Sequence, residues 1–256
     1  MTGDELTRPP QLYQQIAARL RDAINDGTYR PGDQLPGETH LGQHYSVTRD
    51  TLRQAISLLK DEGLLDVEQG RGTFVRRPPM MMRFNRYLPA KRIPERGPFE
   101  QTCADLGIEG YEELVLVEQI PATDAVATAL GIDLNATVVH RRTYMHAGRD
   151  IVQIQDSYFD LQLIAGAPLA NPEKLIHGVY AALDAIGQHP DSATEALGAR
   201  MPTYSETSIL QLQSGVPVIE IHRTTFSKTN HILEWLKLVA AADRNLFSYD
   251  RLPLPN

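Results

Sequence analysis

Leu35-Pro36-Gly37-Glu38, then Val47-Thr48-Arg49-Asp50-Thr51-Leu52-Arg53-Gln54-Ala55, then Gln69-Gly70-Arg71-Gly72-Thr73-Phe74-Val75 is the stretch whose reading decides the fold. Leu52, Ala55, Ile56 and Leu59 fall at i, i+3, i+4 and i+7, one apolar stripe of a helix, while Arg49, Arg53, Gln54, Ser57 and Lys60 fall elsewhere. Thr48 is placed to cap this helix and Gly63 to stop it, which predicts roughly four turns. Arg49 and Arg53 lie one turn apart near its start. Guanidinium groups so placed can each meet a guanine edge bidentately or clamp a phosphate, with the Thr48 and Thr51 hydroxyls beside them.

Working outward, Leu12, Ile16, Leu20 and Ile24 keep helical spacing until Asn25-Asp26-Gly27, and Tyr29-Arg30-Pro31-Gly32 forces a turn. A second short helix fits Glu38 to Tyr45, and Ser46-Val47 hands over to the arginine-bearing helix. Leu64 to Glu68 and Thr73 to Arg76 read as two strands around the glycine-rich tip Gln69-Gly70-Arg71-Gly72. Three helices followed by a hairpin make a winged helix-turn-helix.

These residues resemble the winged helix-turn-helix of the GntR family of bacterial transcription regulators over about residues 11 to 76. The resemblance implies that Arg49 and Arg53 make major-groove and backbone contacts, that Thr48 and Thr51 touch phosphate, and that Gln69, Gly70 and Arg71 approach the minor groove. Glu38 reads as a cap or as an orienter of neighbouring arginines. The chain departs from the family pattern at Gly37, where a serine is usual, and at Thr39-His40, where an arginine is common. Asp50, among the DNA-facing positions, can accept from a cytosine amino group or cap the helix.

Composition bounds the rest. The chain of 256 residues is 42% hydrophobic and has a net charge of -7, room for two domains. No apolar run approaches the roughly 20 residues of a membrane span, no signal peptide is visible at Met1-Thr2-Gly3-Asp4-Glu5, and one cysteine, Cys103, excludes an internal disulfide. A cytoplasmic protein with no membrane association is expected. Residues 8–77 hold ten Lys/Arg against nine Asp/Glu, whereas 78–256 hold fifteen against twenty-one. The acid therefore lies downstream, and between 71 and 96 eight cations face only Glu95, enough to attract phosphate.

The prolines of 78–97 predict an extended connector between a DNA-binding domain at 8–77 and a second domain at 98–256, with Met80-Met81-Met82 as an apolar plug between them. In the second domain strands are expected at 114–117, 138–145, 151–159, 218–226 and 232–239, and helices at 124–130, 175–186 and 206–212. The fold class is α+β, an antiparallel sheet with helices on one side.

This half is similar to the UTRA ligand-sensing domain of the HutC subgroup, a fold shared with chorismate lyase. The resemblance rests on Ala127-Thr128-Ala129-Leu130-Gly131, on Tyr144 to Gly148 with Gln153 to Phe159, on Ala193-Thr194-Glu195, on Leu210-Gln211-Leu212 with Gly215-Val216-Pro217-Val218, and on Leu233-Glu234 with Ala242-Asp243-Arg244. It implies a homodimeric repressor on an inverted-repeat operator in double-stranded DNA, relieved by a small-molecule effector such as a phosphorylated sugar or an organic acid. Arg141, Arg142, Gln155, Ser157, Tyr158, Glu195, Arg223 and Glu234 are the candidate effector pocket. Strand alternation sends Arg141 and Arg142 to opposite faces, so only one lines it, and Arg142 is the arginine expected to govern the response. Where relatives space two arginines by one residue, this strand reads His140-Arg141-Arg142-Thr143. Cross-strand ion pairs explain the same residues equally well.

Enzymatic patterns are incomplete. Ser57-Leu58-Leu59-Lys60 has the Ser-x-x-Lys spacing but no downstream Lys-Thr-Gly, and His40 with His44 lacks a third metal ligand. Gly70-Arg71-Gly72 lacks the third glycine of a dinucleotide loop, and Cys103 has no nearby histidine. No catalytic residue, metal or cofactor is expected. Two alternatives stay open: an effector-independent regulator of plasmid or transfer type, and a chorismate-lyase-like enzyme with Glu195 or Glu234 as general acid.

Overall fold

The computed structural model describes residues 11–77, 79–85, 97–173, 175 and 178–249. The chain divides into two compact units, one up to Pro79 and one from Met80, with residues 213–216 grouped with the first.

In the first unit α1 (Leu12–Asn25), α2 (Glu38–Tyr45) and α3 (Arg49–Asp61) precede a hairpin of β1 (Leu65–Glu68) and β2 (Gly72–Val75). Each element lies where apolar spacing and turn residues put it. Ser46 takes the left-handed conformation (φ 54°) that ends α2, and Gly63 (φ 74°) follows the last turn of α3. The stripe Leu52, Ala55, Ile56 and Leu59 is buried against Ile16, Ala17, Leu20, Leu35, Leu41, Leu65 and Val75. The wing also has a backbone brace that periodicity did not signal. Gly32 N donates to Val75 O, Val75 N to Asp33 O and Leu35 N to Thr73 O, each at 2.8 Å, so residues 32–35 flank β2.

The second unit is built on one antiparallel sheet. Its strands are β4 (Gly110–Pro121), β5 (Thr137–Ala147), β6 (Asp150–Asp160), β7 (Pro190–Arg200), β8 (Val218–Ser227) and β9 (Ile232–Ala241), in the order β4-β5-β6-β9-β8-β7. The helices are α4 (Pro98–Asp105), α5 (Asp124–Leu130), α6 (Gly178–Asp184) and α7 (Tyr204–Leu210), and a 3-10 turn covers Pro168–Ala170. Two expectations need correction. Helices cover both faces of the sheet. On one face α6 and the 3-10 turn close a core of Val139, Phe159, Ile164, Leu169, Leu183 and Leu233, whereas α5 buries Val126, Ala127 and Leu130 with Val138, Tyr158 and Trp235 on the other.

The second correction concerns the connector. Residues 82–85 form β3 (Met82–Asn85), which pairs in parallel with β10 (Asn245–Ser248) inside the second unit. Met82 is buried among Phe84, Phe99, Cys103, Met145 and Val152 of that unit, while Met80 and Met81 are exposed, so the three methionines do not act as one plug. Residues 86–96, with Pro89, Pro94 and the basic residues Arg86, Lys91, Arg92 and Arg96, lie outside the described residues. Cys103 is fully buried, and burial pushes its thiol pKa up.

On the α5 face Arg200 ties α7 to the sheet. It donates to both carboxylate oxygens of Glu206 at 2.7 Å and to Glu220 at 2.9 Å, which also meets Lys237 at 3.0 Å. Hydrogen bonds from Arg200 hold both carboxyls down at about 2. These folded-state values lie below the unfolded ones, so the stabilisation is complete above the ordinary carboxylate range and is lost as pH falls toward 2. The urea midpoint should therefore drop between about pH 5 and pH 3, and Arg200→Gln should flatten that limb; identical pH profiles would remove the cluster from this role. In the first unit, Leu59→Ala leaves a cavity under α3 and should cost about 2–5 kcal/mol, read from its denaturation curve.

Candidate functional site

The first site is the outward side of α3. Thr48 caps the helix, its Oγ1 accepting from Thr51 N at 3.3 Å and lying 2.8 Å from Thr51 Oγ1. With the apolar stripe buried, Arg49, Asp50, Arg53 and Gln54 are exposed. Both arginines converge on one acceptor, Glu38 at the first turn of α2. Arg49 Nε donates to Glu38 Oε2 at 2.6 Å, and Arg53 Nε reaches the two carboxylate oxygens at 3.1 and 3.2 Å. Hydrogen bonds from Arg49 and then Arg53 hold the Glu38 carboxyl below its ordinary pKa. Of the two roles offered for Glu38, the contacts are those of an orienter, and no side-chain hydrogen bond caps α2.

Between α2 and the start of α3 lies an open groove of about 450 Å³, lined by Glu38, Thr39, Gly42, Gln43, Ser46, Val47, Thr48 and Arg49. Asp50 sits in the first turn of α3, where a carboxylate favours the positive helix end. Gln69, Gly70 and Arg71 form the exposed tip of the hairpin. Arg71 pairs with Glu68 and stands 5.9 Å from the Phe74 ring centroid, while its backbone carbonyl accepts from Gln34 at 2.7 Å. Gly72 (φ 127°) leaves room for Gln34 Nε2, which a Cβ would meet at 2.4 Å. The helix N-terminus and the wing tip thus carry all eight residues expected to meet DNA.

The second site is on the sheet. Register places Arg141 opposite Ser157 and Arg142 opposite Asp156, so the eight pocket candidates divide between faces. Arg141, Gln155, Ser157, Glu195, Arg223 and Glu234 share the α6 face; Arg142 and Tyr158 are on the α5 face. Six candidates share one face and two lie on the other; among the six, side-chain hydrogen bonds join Ser157 to Glu234 and Arg223 to Glu195.

On the α6 face Arg223 Nε donates to Glu195 at 2.6 Å and its Nη1 to Tyr180 Oη at 3.2 Å. Tyr249 Oη donates to Glu195 at 2.5 Å, and Tyr180 Oη lies 3.4 Å from Thr225 Oγ1. Ser157 donates to Glu234 at 2.8 Å and Thr225 to the same carboxyl at 3.4 Å. Burial pushes the Glu234 pKa up, against the hydroxyl hydrogen bonds and the charge of Arg223. Tyr180, Thr225 and Tyr249 are members that sequence reading missed. Tyr180 fell inside a helix pattern, and nothing local indicates which way its phenol points.

Arg141 is the outlier of this face. It is 5% exposed, and its guanidinium donates to the carbonyls of Leu169 (2.6 Å), Asn171 (2.9 Å) and Glu173 (2.9 Å). Burial pulls its pKa down, and no carboxylate pairs with it among the described residues. A buried cation held only by carbonyl dipoles is short of negative charge.

The α5 face is electrostatically closed at the matching position. Arg142 donates to both oxygens of Asp156 (2.7 and 3.1 Å), and His140 bridges Asp156 (2.7 Å) and Glu118 (3.0 Å). Burial opposes both charges, but these hydrogen bonds outweigh it, lowering the Asp156 pKa and raising that of His140. His140 stacks on Tyr158 at 4.6 Å, and Tyr158 lies 5.4 Å from Trp235. Arg142 therefore already has a carboxylate partner in Asp156, whereas the partners of Arg141 among the described residues are backbone carbonyls. Among the described residues no helix is long and apolar enough to cross a membrane, and no group of three or more His, Cys, Asp or Glu could hold a metal ion.

Comparison with known proteins matches these two units to two families. Residues 12–75 match the gntR family of bacterial regulatory proteins and residues 106–245 match the UTRA domain. An HTH-type transcriptional regulator of Streptomyces coelicolor, SCO4628, is 30% identical over 246 residues, 93% of this chain and 91% of its own. The HTH-type transcriptional repressor NagR of Bacillus subtilis is 29% identical over 248 residues, 95% and 97% of the two chains. A crystal structure described as a GntR-family transcriptional regulator superposes with a TM-score of 0.72 at 29% identity, covering 95% of this chain and 98% of that one. The head that carries Arg49 and Arg53 and the sheet domain that follows it in sequence thus make this chain a member of the GntR family, a DNA-binding transcription regulator with a UTRA domain of the HutC type.

Proposed function

We propose that the chain is a homodimeric repressor, acting in the cytoplasm, that binds an inverted repeat through two winged heads and releases it when a small anionic molecule enters the α6 face of the UTRA domain. The observation that carries the effector assignment is Arg141, a buried guanidinium with three carbonyl partners and no carboxylate among the described residues. A phosphate or carboxylate supplies the charge those carbonyls lack, so an acidic ligand competes for this arginine against the segment around Leu169, Asn171 and Glu173. The hydroxyls of Ser157, Tyr180 and Thr225 and the carboxyls of Glu195 and Glu234 add the donors and acceptors that a polar ligand body requires. A phosphorylated sugar or an organic acid has this chemistry. The repressor sense draws on NagR, which is named a repressor.

The DNA-binding part assigns the bases to Arg49 and Arg53, phosphates to Thr48 and Thr51, and the minor groove to the wing tip. A twofold protein meets the same half-site twice in opposite orientation, hence the inverted repeat. Ligand binding relieves repression only if the ligand prefers a dimer geometry in which the heads no longer span both half-sites.

Arg49→Ala and Arg53→Ala should each weaken binding to a duplex selected by the wild-type protein by roughly 1–3 kcal/mol, measured by fluorescence anisotropy, with unchanged melting temperatures; wild-type affinity in either variant would reject its assigned contact. A thermal-shift screen with inorganic phosphate, sugar phosphates and organic acids should find a compound that raises the melting temperature by several degrees. Ligand at 100 times its Kd contributes about 2.7 kcal/mol. That shift should vanish in Arg141→Ala and persist in Arg142→Ala. The reverse pattern would move the pocket to the α5 face, and no shift with any compound would sink the effector reading.

A further inference from the structure

Two arginines and one glutamate meet at the groove between α2 and α3, and their stoichiometry matters. Arg49 and Arg53 are 65% and 54% exposed and Glu38 is 30% exposed. Ion pairs so open to water are screened and contribute little, so the cluster does little for the stability of the head. Its geometry says what it does instead. Both arginines engage the carboxylate through Nε, which fixes the plane of each guanidinium and leaves the Nη nitrogens of both for other acceptors. A guanine presents O6 and N7 as two acceptors at the spacing of that fork. Holding the fork in place before binding removes part of the side-chain entropy cost from the base contact.

The same carboxylate cancels one of the two positive charges at the helix N-terminus. Binding to arbitrary duplex depends on cations that displace counterions from phosphate, so this negative charge weakens sequence-independent attraction. Base contacts, made at a fixed short range by an oriented fork, gain more from preorganisation than they lose from one nearby acid.

We propose that Glu38 is a positioning residue that determines specificity: it aims the Arg49 and Arg53 forks at base edges and withholds their charge from the phosphates of any other duplex. The assignment rests on the DNA-binding reading, and its test separates the two. The full-length wild-type chain is used to select a duplex from a random-centre pool. Wild type, Glu38→Gln, Arg49→Ala and the double variant are then titrated with that duplex and with a scrambled one of equal composition, across a range of salt.

Glu38→Gln should bind the scrambled duplex more tightly and steepen its log affinity against log salt by up to about one unit. The ratio of selected to scrambled affinity should fall by about tenfold or more, and that loss should shrink once Arg49 is already alanine. A purely structural glutamate would weaken both duplexes alike and leave the salt slope unchanged; that result, or an unaltered affinity ratio, overturns the proposal. If the glutamine variant melts below the assay temperature, Glu38→Asp serves. With its charge kept and its reach shortened, it should lower the ratio at wild-type salt slope, and a wild-type ratio overturns the proposal. If the wild-type chain enriches no duplex at all, it is the DNA-binding reading that fails.

Discussion

Burying Leu52, Ala55, Ile56 and Leu59 fixes the rotation of α3 about its axis, and with it the direction of every side chain that helix can offer. Once that stripe faces Ile16, Leu20 and Leu41, Arg49 and Arg53 point outward on one side, one turn apart, at the end where backbone N–H groups have no partner in a preceding helical turn. The Thr48 cap and the left-handed Ser46 set where the helix begins, and so how far from α2 its arginines stand. Glu38 can hold both only because those constraints agree. The recognition surface is a by-product of core packing, as it must be if it is to keep its shape while touching nothing.

The sheet applies the same logic with a period of two. Adjacent arginines on β5 are separated by the pleat into unlike surroundings: Arg142 meets a carboxylate that it shares with His140, while Arg141 among the described residues meets only carbonyls. Neither the type of residue nor its neighbours in sequence distinguishes them. The partner strand does, because Asp156 is opposite Arg142 whereas Ser157 is opposite Arg141.

Legibility followed burial. The head was readable almost residue by residue because its helices bury one stripe each and its turns use Gly, Pro and Ser where the backbone demands them. Helix α5 and the inner strands carry comparable signals. Strand β7, Pro190-Asp191-Ser192-Ala193-Thr194-Glu195-Ala196-Leu197-Gly198-Ala199-Arg200, does not: it is an edge strand, exposed along most of its length, and its small and polar residues show no alternation. The brace at residues 32–35 and the phenols of Tyr180 and Tyr249 beside Arg223 and Glu195 escaped for another reason. Their roles depend on partners distant in sequence, which no local pattern encodes. The candidate pocket was therefore legible as a set of residue types, and the division of that set between two faces became visible only through strand register.

The parallel pairing of β3 with β10 joins Met82 to Asn245 and Asn85 to Ser248. Its consequence is temporal. During translation the first unit has every strand and helix of its own core in hand long before residues 245–248 leave the ribosome, while β3, made immediately afterwards, must wait for a partner that arrives only after the whole sheet has been synthesised. Closing so long a loop costs entropy that grows only slowly with length, so the pairing is affordable at equilibrium yet late in time. A nascent chain would thus pass through an interval in which the reading head is finished and the sensing half is still open along that seam.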